Sequence, residues 1–184
     1  MKKLFLIVFV ATLSFGCNDK SGSSSTSDST KMAETKTGDL IYPYTLDKPY
    51  QEWQMGDAKH VVTVLTGLKG FENNDIAACV ASFGDSSELF FDGYNEKLGK
   101  DSLTKFFTMQ RAMSAGVKIK MQDWISVISK DKKSEWVTLW YKEILTDKNG
   151  KSDSVNVVDD AKIENGKIVI LDEKVQHFPP AKKK

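Results

Sequence analysis

Residues 154–178 have the sequence SVNVVDDAKIENGKIVILDEKVQHF, in which two runs of alternating character flank Asn165-Gly166. In the first run, apolar residues recur at every second position over 155–163, with Asp159 as the one exception. A second apolar run begins directly after the dipeptide. A period of two is typical of half-buried strands, and Asn-Gly is a strong signal for a hairpin turn. The stretch therefore predicts an antiparallel hairpin with strands over 154–163 and 167–178.

Two further strands are predicted before this hairpin. Residues 119–127 alternate in the same way, and a run rich in apolar and aromatic residues covers 136–146. Turn-forming residues separate these runs at 130–133 and again at Asn149-Gly150. Four consecutive strands joined by short turns predict an antiparallel meander.

The residues before the meander have helical spacing. One apolar stripe with steps of three and four residues covers 53–71, and a shorter stripe covers 76–83. Asn73-Asn74-Asp75 precedes the second stripe and is its expected start, because these residue types cap helices. Two helices are therefore predicted before the first strand.

A short strand is predicted over 88–92, with a loop rich in turn formers over 93–99. A third helix is expected to be capped by Asp101 or Ser102 and to end at Gly116, which suits a left-handed terminal residue. The order is α-α-β-α followed by the meander. It predicts an α+β fold in which a curved antiparallel sheet wraps around three helices and forms a cone open at one end.

Four motifs in this order carry a family resemblance: VASFGD at 80–85, ELFFD at 88–92, Gly99, and AKIENGKI at 161–168. Over residues 49–178 the chain resembles the NTF2-like superfamily, in its SnoaL-like branch. Members of that superfamily include polyketide cyclases, ketosteroid isomerase and scytalone dehydratase, and also non-catalytic binding or assembly modules. The resemblance implies the cone fold, but such a fold does not decide the activity.

One carboxylate interrupts each of two apolar strand faces, Asp159 within 155–163 and Asp123 within 119–127. Both faces are expected to point into the cone. Burial raises the pKa of a carboxyl group, which can then act as a general acid, a hydrogen-bond donor or a poised base. Both aspartates are therefore candidates for catalysis and for ligand binding. The alternative is that each lies at the wet mouth of the cone or bonds a neighbouring Trp or Tyr.

The resemblance implies roles for two aspartates. Residues 157–168 are similar to the segment that carries the oxyanion-hole aspartate of ketosteroid isomerase, and Asp159 matches that aspartate. Asp92 falls near the basic aspartate of that enzyme and is a further catalytic candidate. Counted from Phe83, however, Asp92 lies one residue beyond the expected place, which turns a strand side chain to the other face. The isomerase also needs a tyrosine on its first helix, and residues 51–93 contain none, so the sequence argues against steroid isomerisation.

His177 is a further candidate for ligand binding, at the end of the last predicted strand. It shares a face with Glu173, which would bring an imidazole near the mouth of the cone. A two-residue turn at Asn165-Gly166 would instead turn Ile170 and Asp172 inward. The sequence leaves both registers open, and it also leaves open a surface position for His177.

The N-terminus has the pattern of a bacterial export signal. Two lysines precede the mostly apolar residues 4–15, a stretch well short of the ~20 residues that a membrane-spanning helix needs. Gly16-Cys17 resembles the end of a lipobox, in which a cysteine after a small residue receives diacylglycerol. Ser14 stands where an aliphatic residue is usual, so the lipobox is a relaxed one. We predict a lipoprotein signal peptide over 1–16 and lipidation of Cys17.

Residues 17–48 are expected to form a disordered tether, because SGSSSTSDST at 21–30 has no apolar residue to bury. The folded domain is predicted over 49–178, followed by a basic tail at 179–184. The alternative is a soluble exported protein in which Cys17 pairs with Cys79. Cys79 lies in an apolar run, where a buried core thiol is the ordinary outcome.

Charge and composition argue against several classes of function. The chain has 26 basic and 25 acidic residues, and its longest basic run is the three lysines at 182–184, so nucleic-acid binding is not expected. No cysteine or histidine cluster has metal-ligand spacing, and we predict neither a metal site nor a cofactor.

Trp136, Thr138 and Trp140 share one strand face, which is expected to lie outside the sheet and to support a homodimer.

The sequence thus predicts a lipid-anchored protein on the periplasmic or surface side of a bacterial cell envelope. Its cone is expected to bind a small apolar or amphipathic molecule or to act as an assembly module, without catalysis. The alternative is a cofactor-independent acid/base enzyme of the cyclase, dehydratase or isomerase type. That enzyme would use Asp159 together with Asp92 or Asp123.

Overall fold

The computed structural model describes residues 36–37, 40–41, 43–44 and 52–176. The chain divides into two units, Met1–Thr45 and Leu46–Lys184. In the first unit, strands β1 (Lys36–Thr37) and β2 (Leu40–Ile41) pair antiparallel. None of the described helices has the length and apolar character needed to cross a membrane. The remaining elements all belong to the second unit.

Three helices form one layer of the second unit: α1 (Ala58–Glu72), α2 (Ile76–Ala81) and α3 (Lys100–Ala112). Asp57 caps α1 by accepting a hydrogen bond of 2.9 Å from the backbone N–H of Lys59. Asp75 caps α2 by accepting one of 2.9 Å from Ala78, which confirms the start expected for that helix. Both caps satisfy backbone donors that the first helical turn leaves free.

Seven strands form the other layer: β3 (Trp53–Met55), β4 (Phe83–Phe91), β5 (Tyr94–Gly99), β6 (Gly116–Ser129), β7 (Glu135–Thr146), β8 (Ser152–Glu164) and β9 (Lys167–Gln176). Their order across the sheet is β3-β6-β7-β8-β9-β4-β5. Strands β6 to β9 pair antiparallel in sequence order, so the predicted meander is confirmed. Strand β4 returns beside β9 in parallel. The result is an α+β fold with helices on one face of a curved sheet, as the sequence predicts.

The β8–β9 turn has the geometry that its sequence favours. Asn165 and Gly166 have φ values of +51° and +71°, the left-handed pair of a type I′ turn. Ile163 therefore pairs with Ile168, as a two-residue turn requires. One residue later β9 contains a bulge at Val169, because Lys162 pairs with Ile170. After this bulge, β9 follows the register in which the odd-numbered residues point inward. Leu171, rather than Ile170, therefore lies inward and is buried.

Several predicted boundaries are wrong. Trp53 belongs to strand β3 and is exposed, because the cap at Asp57 starts the first helix only after it. Phe83 begins β4 and is not the end of the second helix. The loop expected over 93–99 is the strand β5, which pairs with β4 through a turn at Gly93. The third helix begins at Lys100, before either predicted cap.

Gly116 does not end the third helix as expected. That helix ends at Ala112, and its C-terminal capping residue, Met113, has ordinary helical backbone angles. Gly116 instead pairs with Thr146 as the first residue of β6. The strand partner, rather than a left-handed cap, accounts for its position.

Candidate functional site

A cavity of about 440 Å³ lies between the helices and the concave face of the sheet. Most of its wall is apolar, with the aromatic side chains Phe71, Phe83, Phe91, Tyr94, Phe106 and Phe107. The aromatic rings pack on one another, with the ring centres of Tyr94 and Phe106 5.0 Å apart. Met109 of α3 and Met113, the residue after that helix, line the cavity and are more than half exposed, at 54% and 61%, so they lie at its mouth.

Asp159 lies in this cavity, as the sequence predicts. Its neighbours at alternate positions on β8, Val157 and Ala161, are 1% and 0% exposed, and Asp159 itself is only 4% exposed. Its Oδ2 atom accepts a hydrogen bond of 3.0 Å from the Tyr141 hydroxyl, whereas Oδ1 has no hydrogen-bond partner among the described residues. Burial raises the pKa of Asp159 to about 7, although the Tyr141 hydrogen bond favours the ionised form.

Glu173 is the partner of Asp159 across the β8–β9 ladder. The bulge at Val169 turns Glu173 inward, and its side chain lines the same cavity. Burial raises its pKa to about 9, and the negative charges of Asp159, Glu143 and Asp92 add to this effect. Two carboxyl groups on directly paired inward positions cannot both ionise cheaply, so the pair keeps at least one proton at neutral pH.

Two further acids line the cavity. Glu143 lies two residues beyond Tyr141 on β7, and burial raises its pKa. Asp92 lies just after β4 and is exposed, so it is at the solvent side of the cavity. The structure thus brings the predicted Asp159 and Asp92 together, and adds Tyr141, Glu143 and Glu173. Those three belong to the inward faces of β7 and β9.

The charged side chains that line the cavity, among the described residues, are acidic. Among the described residues, no lysine, arginine or histidine lines the cavity. Within that same part of the chain, no group of three or more His, Cys, Asp or Glu side chains is placed to hold a metal ion. Cys79 also lines the cavity; it is buried, it forms no disulfide, and burial raises its pKa to about 12. A thiol with that pKa stays protonated and unreactive.

The prediction that Asp123 faces into the cone is wrong. Strand β6 has a bulge at Gln122, since Met121 pairs with Tyr141 but Asp123 pairs with Trp140. One extra residue reverses the alternation, so Asp123 lies on the outer face of the sheet and is exposed. Its carboxylate accepts a hydrogen bond from the backbone of Trp124 and does not line the cavity.

His177 and Cys17 lie outside the described residues, so their predicted roles stay predictions. Tyr141 and Glu143 were not predicted as site residues, although a signal for them exists in the sequence. Trp136 and Trp140 were predicted to lie outside the sheet, and alternation then turns the intervening Leu139 and the following Tyr141 inward. The structure has this arrangement, with Leu139 and Tyr141 buried.

Comparison with solved structures identifies the architecture. A protein of the NTF2-like family from Streptomyces avermitilis superposes with a TM-score of 0.55 at 10% identity, over 65% of this chain and 96% of that one. The domain has the NTF2-like fold. No protein-family model matches the sequence, and no curated protein matches it. The three-dimensional structure thus establishes the NTF2-like fold. A sequence identity of 10% does not show that the two proteins share an activity.

Two other structures similar to this NTF2-like domain contain ligands. TerC, co-crystallised with polyporic acid, has a TM-score of 0.54 at 15% identity, over 65% of this chain and 92% of that one. A protein with a ketosteroid isomerase-like fold from Catenulispora acidiphila, in complex with trimethylamine, has a TM-score of 0.51 at 11% identity, over 61% of this chain and 83% of that one. One ligand is an acid and the other an amine, so the fold does not select the charge of its ligand.

Proposed function

We propose that this NTF2-like domain binds a small, largely apolar molecule in the cavity between its helices and its sheet. The supporting observation is a volume of about 440 Å³ enclosed by aromatic and aliphatic side chains, with a few polar groups at defined places. This size and composition are typical of sites for small organic ligands. The ligand complexes of TerC and of the Catenulispora acidiphila protein add support, because they belong to the same fold.

A pair of valine variants tests this proposal. Val175 is half-buried and lines the cavity, so Val175→Trp should fill part of the ligand space. Val158 is equally half-buried but lies on the outer face, paired with Trp140 and Lys174. Val158→Trp is therefore the matched control. The neutral fluorescent probe phenylnaphthylamine should bind the full chain and the control alike, and bind Val175→Trp at least about tenfold more weakly.

Two results would count against cavity binding. If phenylnaphthylamine does not bind the wild-type chain, the cavity does not accept a small apolar molecule. If both valine variants bind it equally well, the probe binds somewhere else on the protein. Circular dichroism spectra like that of the wild type would show that a loss of binding in Val175→Trp is not a loss of folding.

The proposal includes attachment to a bacterial membrane through lipid on Cys17. It rests on the export signal and on Gly16-Cys17, which resembles the end of a lipobox. The Ser-rich residues after Cys17 would act as a tether between the lipid and the domain. The binding cavity would then work in the cell envelope, on the periplasmic or surface side of the membrane.

A second candidate function is proton transfer on a bound substrate. It is favoured by the hydrogen bond of 3.0 Å from Tyr141 to Asp159, and by the pKa of Asp159, which burial raises to about 7. A carboxyl group with that pKa can both accept and donate a proton at neutral pH. Asp159 would be the acid/base group, with Tyr141 fixing its position and Glu173 holding a second proton beside it.

Isotope exchange separates this candidate from passive binding. A ligand recovered from the wild-type protein would take up deuterium from heavy water at an acidic carbon if Asp159 abstracts a proton there. Asp159→Asn should abolish this exchange, because an amide does not act as a base. Ligand binding without any exchange in the wild type would support the passive function alone.

A further inference from the structure

Among the described residues, the charged groups that line the cavity are all acidic. They are Asp92, Glu143, Asp159 and Glu173, and the other titratable side chains in the described lining are Cys79, Tyr94 and Tyr141. The basic group whose charge acts on Asp159 is Lys174, which follows Glu173 in the alternation and therefore lies on the outer face of the sheet. There it forms ion pairs of 2.8 Å and 2.9 Å with Asp160 and Asp172, so other carboxylates already engage it.

Asp159 provides a second, independent sign of a missing partner. Its side chain is more than nine-tenths buried and lines the cavity, yet its Oδ1 atom has no hydrogen-bond partner among the described residues. Buried carboxylate oxygens ordinarily have a donor or a cation beside them, because an unpaired buried charge is costly. A positively charged ligand group in the cavity would satisfy this oxygen.

The shape of the cavity argues for an organic cation rather than a metal ion. The four acids are not clustered closely enough for any three of the described acidic, His or Cys side chains to hold a metal ion together. A volume of about 440 Å³ is also far larger than an ion needs. Aromatic rings line the same cavity as the acids, including Phe91 and Tyr94, and they suit a cation with hydrocarbon substituents, since such groups are attracted to aromatic rings.

We propose that the ligand of this cavity is an organic cation, an amine or quaternary ammonium group on an apolar body, held among Asp92, Glu143, Asp159 and Glu173. The inference rests on the proposed binding function and adds the charge of the ligand. The cation takes the place of protons that Asp159 and Glu173 hold without it. Binding of a permanent cation therefore releases protons and becomes tighter as the pH rises through about 7 and about 9, where Asp159 and Glu173 lose their protons.

A pair of probes of equal shape tests the charge directly. Phenyltrimethylammonium and tert-butylbenzene differ by a nitrogen cation in place of a neutral carbon, so any difference in affinity reports the charge. Titrated into the full chain at neutral pH, the cation should bind at least about tenfold more tightly than the hydrocarbon. Glu173→Gln and Asp159→Asn should each reduce that preference, and the exposed Asp123→Asn, on the outer face, should leave it unchanged.

The outcomes separate this inference from the function on which it rests. Equal affinity for both probes, or tighter binding of tert-butylbenzene, would overturn the cationic ligand but leave a cavity that binds apolar molecules. Binding of neither probe, together with no binding of phenylnaphthylamine, would overturn both proposals. A preference for the cation that survives in folded Glu173→Gln and Asp159→Asn proteins would also overturn the inference, because the charge would then be recognised elsewhere.

Discussion

Asp159 and Glu173 are directly paired across strands β8 and β9, and both side chains line one apolar cavity. The negative charge of Asp159 raises the cost of ionising Glu173, in addition to the cost of burial. The Tyr141 hydroxyl stabilises the Asp159 carboxylate from the neighbouring strand, at 3.0 Å. This difference in partners explains why the pKa of Asp159 is raised to about 7 and that of Glu173 to about 9.

Removal of the Tyr141 hydroxyl should raise the pKa of Asp159 further. The hydrogen bond from Tyr141 favours the ionised form of Asp159. Without it, in Tyr141→Phe, ionisation of Asp159 costs more. Hydrogen bonds to charged groups are worth about 1.5–3 kcal/mol, which corresponds to a rise of about one to two pH units. NMR titration of the Asp159 carboxyl carbon measures this. Tyr94→Phe, which changes another cavity tyrosine, should leave the midpoint in place, and a fall in the Tyr141→Phe variant would contradict the assignment.

The free energy of unfolding should decrease as the pH rises from about 4.5 towards about 9. In this range the folded protein keeps the Glu173 proton, whereas the unfolded chain, with its ordinary pKa of 4.5, has lost it. Asp159 and Glu143 act in the same direction, since burial raises both of their pKa values. Glu173→Gln cannot ionise and should therefore lose less stability over this range. Each unit of difference between the pKa of Glu173 in the folded and the unfolded protein corresponds to about 1.4 kcal/mol of unfolding free energy, and the variant removes this contribution.

Urea unfolding at about pH 5 and about pH 9 measures the stability prediction. The exposed Glu164, which forms a surface ion pair with Lys162, supplies the control variant Glu164→Gln. That variant should show the same dependence on pH as the wild type. A Glu173→Gln protein whose stability falls as steeply as that of the wild type would show that Glu173 ionises normally in the folded state.

The hairpins and the inward position of Asp159 could be predicted because they depend on local signals. Asn165-Gly166 has the left-handed angles that its residue types favour, and alternation gives the orientation of Asp159 directly. Asp123 shows the limit of that reasoning. The bulge at Gln122 has no local signature in the alternation, and one inserted residue was enough to reverse the face of every residue after it.

Other parts of the site depend on contacts between distant residues. The sequence predicts either a two-residue turn or an inward position for Glu173. The bulge at Val169 allows both in the same hairpin. Strand β5 is rich in turn-forming and charged residues, and it is a strand because it pairs with β4. The coupling of Glu173 to Asp159 also requires the register between β8 and β9, which no single strand contains.

Lipid attachment at Cys17 stays a prediction with a direct test. Cys17→Ser should move the protein from the membrane to the soluble fraction and remove the mass of the acyl chains. Cys79→Ala serves as the control, because Cys79 is buried in the domain and should have no part in localisation. Membrane partitioning that is unchanged in Cys17→Ser, with no acyl mass on the wild type, would contradict the lipoprotein assignment.

A homodimer through the outer face of the sheet is also still a prediction. Trp136 and Trp140 are half-buried on that face, opposite the buried Leu139 and Tyr141. Covering the two indoles would contribute roughly 25 cal/mol per Å² of apolar surface buried. Light scattering at high micromolar concentration should find a dimer for the wild type and a monomer for Trp140→Glu. Trp124→Glu, on the opposite face of the sheet, should stay dimeric, and a monomeric wild type would contradict the prediction.

The central claim is that the cavity contains a proton-holding pair of acids, the buried Asp159 and the half-buried Glu173, and NMR titration of their carboxyl carbons tests it most directly. Asp159→Asn and Glu173→Gln assign the two signals by removing one at a time. The account predicts midpoints of about 7 for Asp159 and about 9 for Glu173. Midpoints near the ordinary values of 3.8 and 4.5 would contradict it, because both acids would then be ionised and solvated at neutral pH.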